Sequence, residues 1–137
     1  MFFEGLEALG GDKHRVKARQ PRAILGSLNI EVAQLRIRAQ RHAWDYGIGL
    51  STNCGEAIVW LEVHSANSLH VQIILDKLDS LITFLRDHGG YLHRFPSRYV
   101  WLATGGVAIA PASRERRRLN ARGIILKSKQ LRLESVM

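Results

Sequence analysis

The segment Ala57–His64 constrains the fold of this chain more than any other stretch. Its side chains alternate between two faces of an extended strand, and both faces are largely apolar. A strand of this kind is typical of the centre of a sheet that is covered on both sides. The segment therefore predicts a central strand, with other elements packed above and below it.

A long amphipathic helix follows this strand. Ser68 is a candidate N-cap, Gly89 is a candidate C-terminal cap, and the apolar residues between them recur at helical spacing: Val71, Ile74, Leu75, Leu78, Leu81, Ile82 and Leu85. Tyr99–Ala103 reads as the next strand. A strand, a long helix and a second strand in this order favour a parallel strand pair with a right-handed crossover.

The segments on either side complete an α/β pattern. Trp44–Leu50 reads as a strand joined through the turn Ser51–Gly55 to Ala57–His64, so these two strands are expected to form an antiparallel hairpin. Ser27 is a candidate cap for a helix that ends near His42. Ser113 is a candidate cap for a short basic helix, and Ile124–Leu126 follows as a strand. We predict a single-domain sandwich over residues 1–137, with a mixed sheet and helices on its faces.

The charge of the chain indicates a polyanionic partner. The 137 residues carry a formal net charge of +8, with an isoelectric point near 10.4. Nucleic acid is the usual partner of such a protein, and we favour DNA over RNA, although a protein can be basic without binding either. The segment 10–23 is basic and poor in apolar residues, which predicts a flexible arm.

Arginine is densest in a second basic region near the C-terminus. Candidate phosphate-contacting residues there are Arg114, Arg116, Arg117, Arg118, Arg122 and Lys127. A run of charge is often only a solvated helix face. The density of this run favours contact with nucleic acid.

The sequence also bears on the compartment. No apolar run approaches the roughly 18 residues that a membrane span needs. The acidic N-terminus lacks the basic region of a secretory signal. The single cysteine, Cys54, suits a reducing compartment. We therefore expect a cytoplasmic protein that does not engage a membrane.

Acidic residues on the two hairpin strands are the candidate functional site. Asp45 stands near the start of the first strand, and Glu62 and His64 stand two residues apart on one face of the second. Glu31 falls on the preceding helix. Carboxylates in apolar strands are costly unless something pairs with them. Mg²⁺, with Mn²⁺ as the alternative, prefers such oxygen ligands, and it can assist hydrolysis of a phosphodiester.

These residues resemble the motif of the PD-(D/E)XK nuclease superfamily, which has the restriction-endonuclease-like fold. In that pattern an Asp begins one strand, and a Glu or Asp, any residue and a Lys follow on the next. Asp45 and Glu62-Val63-His64 match it, with His64 in place of the lysine that positions or activates the attacking water. An acid on the preceding helix, here Glu31, also occurs in some members.

The resemblance implies a metal-dependent nuclease. Glu31, Asp45 and Glu62 would hold the metal, and Asp45, Glu62 and His64 would form the catalytic set. Because His64 replaces the family's lysine, two alternatives stay open. The chain could be a degenerate member that binds nucleic acid without cutting it, or a protein-interaction subunit. The sequence leaves the oligomeric state open, a homodimer included.

Overall fold

The computed structural model of this chain describes residues 2–37 and 43–137. Eight strands are present in this part of the chain: β1 (Phe2–Phe3), β2 (Val16–Lys17), β3 (Ile24–Asn29), β4 (Tyr46–Thr52), β5 (Gly55–Asn67), β6 (Ser97–Ala108), β7 (Ile124–Ser128) and β8 (Leu131–Arg132). The α-helices are α1 (Ile30–Ile37), α2 (Val71–His88) and α3 (Arg114–Ala121). Short 3-10 helices cover Glu7–Arg15, Pro21–Ala23, Ser68–His70, Gly90–Arg94 and Leu133–Val136.

Six strands form one mixed sheet in the order β1-β3-β4-β5-β6-β7, and β2 pairs with β8 in a small second sheet. The strands β4 and β5 are antiparallel, whereas β5, β6 and β7 are parallel to one another. Both the predicted hairpin and the predicted parallel pair are therefore confirmed. The prediction of an α/β chain with a mixed sheet is confirmed as well.

Each face of the large sheet has its own apolar core. On one face, α2 packs over residues that include Trp60 and Trp101, both fully buried. On the other face, Val59 and Leu61 lie beneath Leu9, Val16 and the C-terminal segment, with Leu131, Leu133 and Val136. The alternation of Ala57–His64 between two apolar faces is thus explained, because both of its faces are covered.

The first predicted helix begins later than the sequence suggested. Residues 24–29 form β3, and α1 begins at Ile30, with the Asn29 side chain accepting a hydrogen bond from the N–H of Val32 at 3.1 Å. Ser27 is therefore not a helix cap. It is buried in β3, where its hydroxyl accepts a hydrogen bond from the N–H of Ala8 at 3.0 Å. The predicted helix end near His42 lies outside the described residues.

The other helix predictions fare better. α2 spans 18 residues and ends at its predicted cap, Gly89. Ser68 is not its N-cap: it begins the short 3-10 helix before α2, which the Asn67 side chain caps by accepting the N–H of Leu69 at 2.9 Å. Ser113 caps α3, because its hydroxyl accepts the N–H of Arg116 at 3.1 Å. Of the predicted apolar stripe of α2, only Ile82 is exposed. No helix in the described ranges is long and apolar enough to cross a membrane.

The basic segment 10–23 contains regular structure. It includes the end of the first 3-10 helix, β2 and the 3-10 turn Pro21–Ala23. Val16 is buried, and the Asp12 carboxylate accepts a hydrogen bond from the hydroxyl of Tyr46 at 2.7 Å. The segment is thus joined to the large sheet through both apolar and polar contacts. Its flexibility stays a prediction.

Two glycines of β4 give a test of the packing on the helical side of the sheet. A Cβ added to Gly47 would lie 2.6 Å from the buried ring of Trp60, whereas one added to Gly49 would meet only ordinary van der Waals neighbours. We expect Gly47→Ala to lower the free energy of unfolding by about 1–3 kcal/mol, because Trp60 has no room to move. Gly49→Ala, the matched control, should be neutral or slightly stabilising. Urea denaturation of both variants measures the difference, and equal stabilities would contradict this account of the packing.

Candidate active site

The β4–β5 hairpin brings Asp45 and Glu62 together. Tyr46 pairs with Leu61 in the antiparallel ladder, so the residues one step beyond them, Asp45 and Glu62, are neighbours across the two strands. One oxygen of the Asp45 carboxylate, Oδ2, accepts the N–H of Val63 at 2.9 Å, which fixes this side chain against β5. The sequence prediction that these two carboxylates share a site is consistent with this geometry.

The first residues of α1 are hydrogen-bonded to the backbone of Asp45. The N–H groups of Ile30 and Glu31 donate to the backbone oxygen of Asp45 at 3.0 and 3.3 Å. After burial, which has the largest effect, the Glu31 carboxyl also raises the pKa of Asp45. Glu31 therefore lies beside Asp45, and its predicted role as a metal ligand stays a prediction.

A lysine that the sequence reasoning missed completes the cluster. Lys77, on α2, donates to Oε2 of Glu62 at 2.6 Å. Glu62 is 0% exposed and the Lys77 side chain is 15% exposed, so the ion pair is almost wholly removed from water. The signal was present in the sequence, because Lys77 lies three residues after Ile74 and four before Leu81, within the apolar stripe of α2. A charge in such a stripe needs a partner.

The carboxyl groups of the cluster have strongly altered acidity. Burial raises the pKa of Asp45 to about 6 from its ordinary 3.8, against the opposing effects of the Val63 N–H and the Lys77 charge. Burial, followed by the nearby Asp45 carboxylate, raises the pKa of Glu62 to about 8 from 4.5, although Lys77 acts in the opposite direction. Groups perturbed by both burial and specific charges are typical of functional sites.

Some buried polar side-chain atoms on the elements that carry the site have no hydrogen-bond partner among the described residues. Four of the five buried side-chain atoms that lack a hydrogen-bond partner within the described residues belong to Gln34, Trp44 and Glu62. Trp44 precedes Asp45, and Gln34 lies one helical turn after Glu31 on α1. Of these atoms, Oε1 of Glu62 belongs to the cluster itself.

His64 lies on the same strand but has other partners. Its Nδ1 is 2.7 Å from the backbone oxygen of Ser65, and its ring packs edge-on against His70 with 4.5 Å between ring centres. The backbone oxygen of His64 accepts the indole N–H of Trp101 at 3.2 Å. In the described contacts the Glu62 carboxylate is paired with Lys77 and not with His64. The catalytic role predicted for His64 stays a prediction.

The predicted phosphate-binding arginines divide into two groups. Arg118 donates to Gln72, and Arg122 forms an ion pair with Asp79 at 2.5 Å, so both link α3 to α2. Arg116 donates to the backbone oxygen of Ile109 at 3.2 Å. Three members of the predicted set thus serve contacts within the protein.

The remaining cations are more available. Arg114 and Arg117 are exposed on α3, although Arg117 also donates to the backbone oxygen of Ala112 at 3.0 Å. Lys127 is half-buried on β7. Contact with nucleic acid stays a prediction for all of the predicted residues.

A divalent cation is compatible with the donors at the site. The other oxygen of Glu62, Oε1, is buried and has no hydrogen-bond partner among the described residues, and Asp45 adds a second carboxylate. Within the described residues, no three His, Cys, Asp or Glu side chains form a group that could hold a metal ion. Water and substrate oxygens would therefore have to complete the coordination, as is usual for Mg²⁺.

Comparisons with protein-family models, with curated proteins and with solved structures find no match to this chain.

The raised pKa of Glu62 predicts how stability depends on pH. Its pKa in the folded protein, about 8, lies above its ordinary 4.5, so folding favours the protonated form. The stability that this gives is full below pH 4.5 and is lost as the pH rises through 8. Glu62→Gln keeps a neutral group at every pH. We therefore expect the stability of the wild type, relative to Glu62→Gln, to fall by about 4 kcal/mol between pH 5 and pH 9.

Chemical denaturation of the two proteins at both pH values measures this change. Glu56→Gln, at the exposed start of β5, is the matched control and should show no such trend. A pH-independent difference between wild type and Glu62→Gln would show that Glu62 stays ionised throughout.

Proposed function

We propose that this protein is a metal-dependent nuclease that hydrolyses nucleic acid phosphodiesters, with the active site at Asp45, Glu62 and Lys77. The observation that carries the proposal is the buried contact between Lys77 and Glu62, next to Asp45. Two carboxylates and a lysine are the side-chain chemistry of the PD-(D/E)XK motif. Here the amine comes from α2 instead of from position 64.

Each residue of the cluster has a defined task in this proposal. Asp45 and Glu62 would hold Mg²⁺ or Mn²⁺, with Glu31 assisting through Asp45. The metal would supply Lewis-acid stabilisation of the charge that develops on the phosphate. Lys77 would orient the attacking water, and the contact with the Glu62 carboxylate would hold the Lys77 amine in place. His64 stays an alternative for this task, since it follows Glu62 on the same face of β5.

The position of the site supports this reading. β3 and β5 are both antiparallel to β4, so they run in the same direction. The site lies where β3 ends, where β4 begins and near the end of β5, which places it at one end of these three neighbouring strands. In open α/β sheets, ligands bind outside the carboxyl ends of parallel strands. A basic protein would attract a polyanion to a site at these strand ends.

The experiment is a cleavage assay with Mg²⁺ or Mn²⁺ on single-stranded, double-stranded and branched DNA and on RNA. We expect metal-dependent cleavage that falls at least about 100-fold in Asp45→Asn, because loss of a metal ligand should cost no less than loss of a residue that supports one. Glu56→Gln should retain full activity. Absence of cleavage on every substrate, or equal activity in Asp45→Asn, would overturn the proposal.

One observation favours a second candidate, a nucleic-acid-binding module without activity. The Lys77 amine already occupies one oxygen of Glu62, as it would in a purely structural ion pair. This candidate predicts salt-dependent binding to nucleic acid that Asp45→Asn leaves unchanged, without cleavage. A stable complex with an acidic protein, and no retention of nucleic acid at low salt, would instead favour a protein-interaction subunit.

A further inference from the structure

The small parallel sheet places two cations side by side. Val16 of β2 pairs with Leu131 of β8, and both are buried in the core. The next pair in the register is Lys17 with Arg132, and both of these residues are exposed. Directly paired residues on neighbouring strands lie about 5 Å apart, so the two positive side chains leave the same face of the sheet together.

The acid nearest this pair is engaged elsewhere: the Arg132 charge helps to lower the pKa of Glu134, but the Glu134 carboxylate accepts the N–H groups of Arg19 and Gln20. Within residues 2–37 and 43–137, neither the Lys17 nor the Arg132 side chain makes an ion pair or a hydrogen bond. By contrast, the nearby Lys13 pairs with Glu7, and Arg15 pairs with Asp12. Like charges directly opposite one another destabilise a sheet. A local arrangement that costs stability without a gain in packing indicates a function, here the binding of an anion.

An open depression lies beside Lys17. Its volume is about 460 Å³, and it is lined by Leu6, Gly10, Gly11, Lys13, His14, Val16 and Lys17. A Cβ built on Gly10 or Gly11 would meet nothing within 4 Å, so bare backbone borders this space. Lys13 is paired with Glu7, so a phosphate group in this hollow would be held by Lys17 and by the bare backbone.

The basic surface continues into the turn that precedes β8. Lys127 lies on β7, and its register partner Leu102 belongs to the core beneath the small sheet. Lys129 is exposed in the turn and is the one non-glycine residue of the described chain with a positive φ, 65°. Cations thus extend over β2, β7, β8 and the turn, which suits a chain of phosphates better than a single small anion.

We propose that this surface, centred on the Lys17–Arg132 pair, binds the phosphate backbone of a nucleic acid. The proposal rests on the proposed function in taking the anion to be nucleic acid. It adds an anchoring site on the face of the sheet opposite α2. It also assigns phosphate contact to residues outside α3, since Arg118 of α3 and Arg122 directly after it are engaged with α2.

The test is fluorescence anisotropy of a labelled 20-base-pair DNA duplex with the full chain, without divalent metal, over a series of salt concentrations. The variant is Lys17→Gln/Arg132→Gln. Its control is Arg86→Gln/Arg94→Gln, which removes the same charge from exposed positions at the C-terminal end of α2 and in the 3-10 helix after it. We expect the slope of log K against log salt to become shallower by about 2 in the first variant and to stay unchanged in the control.

Thermal unfolding separates binding from a structural role. Because the paired cations repel each other, Lys17→Gln/Arg132→Gln should unfold at the wild-type temperature or above it. Equal salt slopes in wild type and variant would overturn the inference but leave the nuclease proposal standing. Loss of binding to phosphatidylserine vesicles in the variant, with duplex binding unchanged, would also overturn it. Cleavage is not measured here, so failure of the nuclease proposal is recognised separately.

Discussion

Lys77→Met is expected to lower metal-dependent cleavage by about 10²–10⁴-fold, the range typical of a group that manages a proton or a reacting water. The reason is its position, since its amine lies 2.6 Å from Oε2 of the fully buried Glu62. Methionine retains most of the apolar stem of lysine but cannot orient a water molecule. Single-turnover cleavage at saturating Mg²⁺, with substrate binding measured separately, checks this prediction.

Two further variants distinguish Lys77 from His64. Lys77→Arg retains the positive charge, and therefore the pairing with Glu62, but changes the donor geometry, so it should fold normally and recover only part of the activity. His64→Ala should cost less than about tenfold, because the His64 ring packs against His70. Full loss of activity in His64→Ala together with an active Lys77→Met would return the catalytic role to His64.

Much of the fold could be predicted because its signals are local. The apolar alternation of Ala57–His64 and the helical spacing from Val71 to Leu85 each depend on neighbouring residues alone. A turn between two strands and a long helix between two others then limit the topology to an antiparallel hairpin and a parallel crossover. The structure has both features.

The N-terminal third was harder to predict because its structure depends on distant partners. Residues 24–29 carry a pattern that suits a helix as well as a strand, and their pairing with β4 and β1 decides the outcome. Likewise, β2 exists because Val16 and Lys17 pair with residues of β8 near the other end of the chain. The basic composition of segment 10–23 alone predicted a flexible arm.

The candidate site could be predicted only in part for a similar reason. Asp45 and Glu62 stood out because each is an acid within an apolar strand, and the hairpin brings them together. Lys77 carries the same signal, because it is a charged residue within the apolar stripe of α2. The helix-to-strand contact that joins Lys77 to Glu62 spans two elements, and the register between them is not encoded in either pattern.

The second large effect concerns stability. Lys77→Met should lower the free energy of unfolding by about 3–5 kcal/mol at pH 9, because it leaves the ionised Glu62 buried without its partner. At pH 5 the cost should be small. The pKa of Glu62 is raised to about 8 even with Lys77 present, so at pH 5 this carboxyl is protonated, and its burial needs no cation. Denaturant titration at the two pH values measures the difference.

A double-mutant cycle with Glu62→Leu completes the argument. If the Glu62–Lys77 pair served only to stabilise the fold, replacing both residues would lower the free energy of unfolding about as much as Lys77→Met alone. Desolvation instead offsets most of the attraction between buried charges, so Glu62→Leu/Lys77→Met should be within about 1 kcal/mol of wild type at pH 9, or more stable. A double variant as unstable as Lys77→Met would mark the pair as structural. The expected result would leave function as the reason for a buried lysine and carboxylate beside Asp45, since apolar residues would serve the fold equally well.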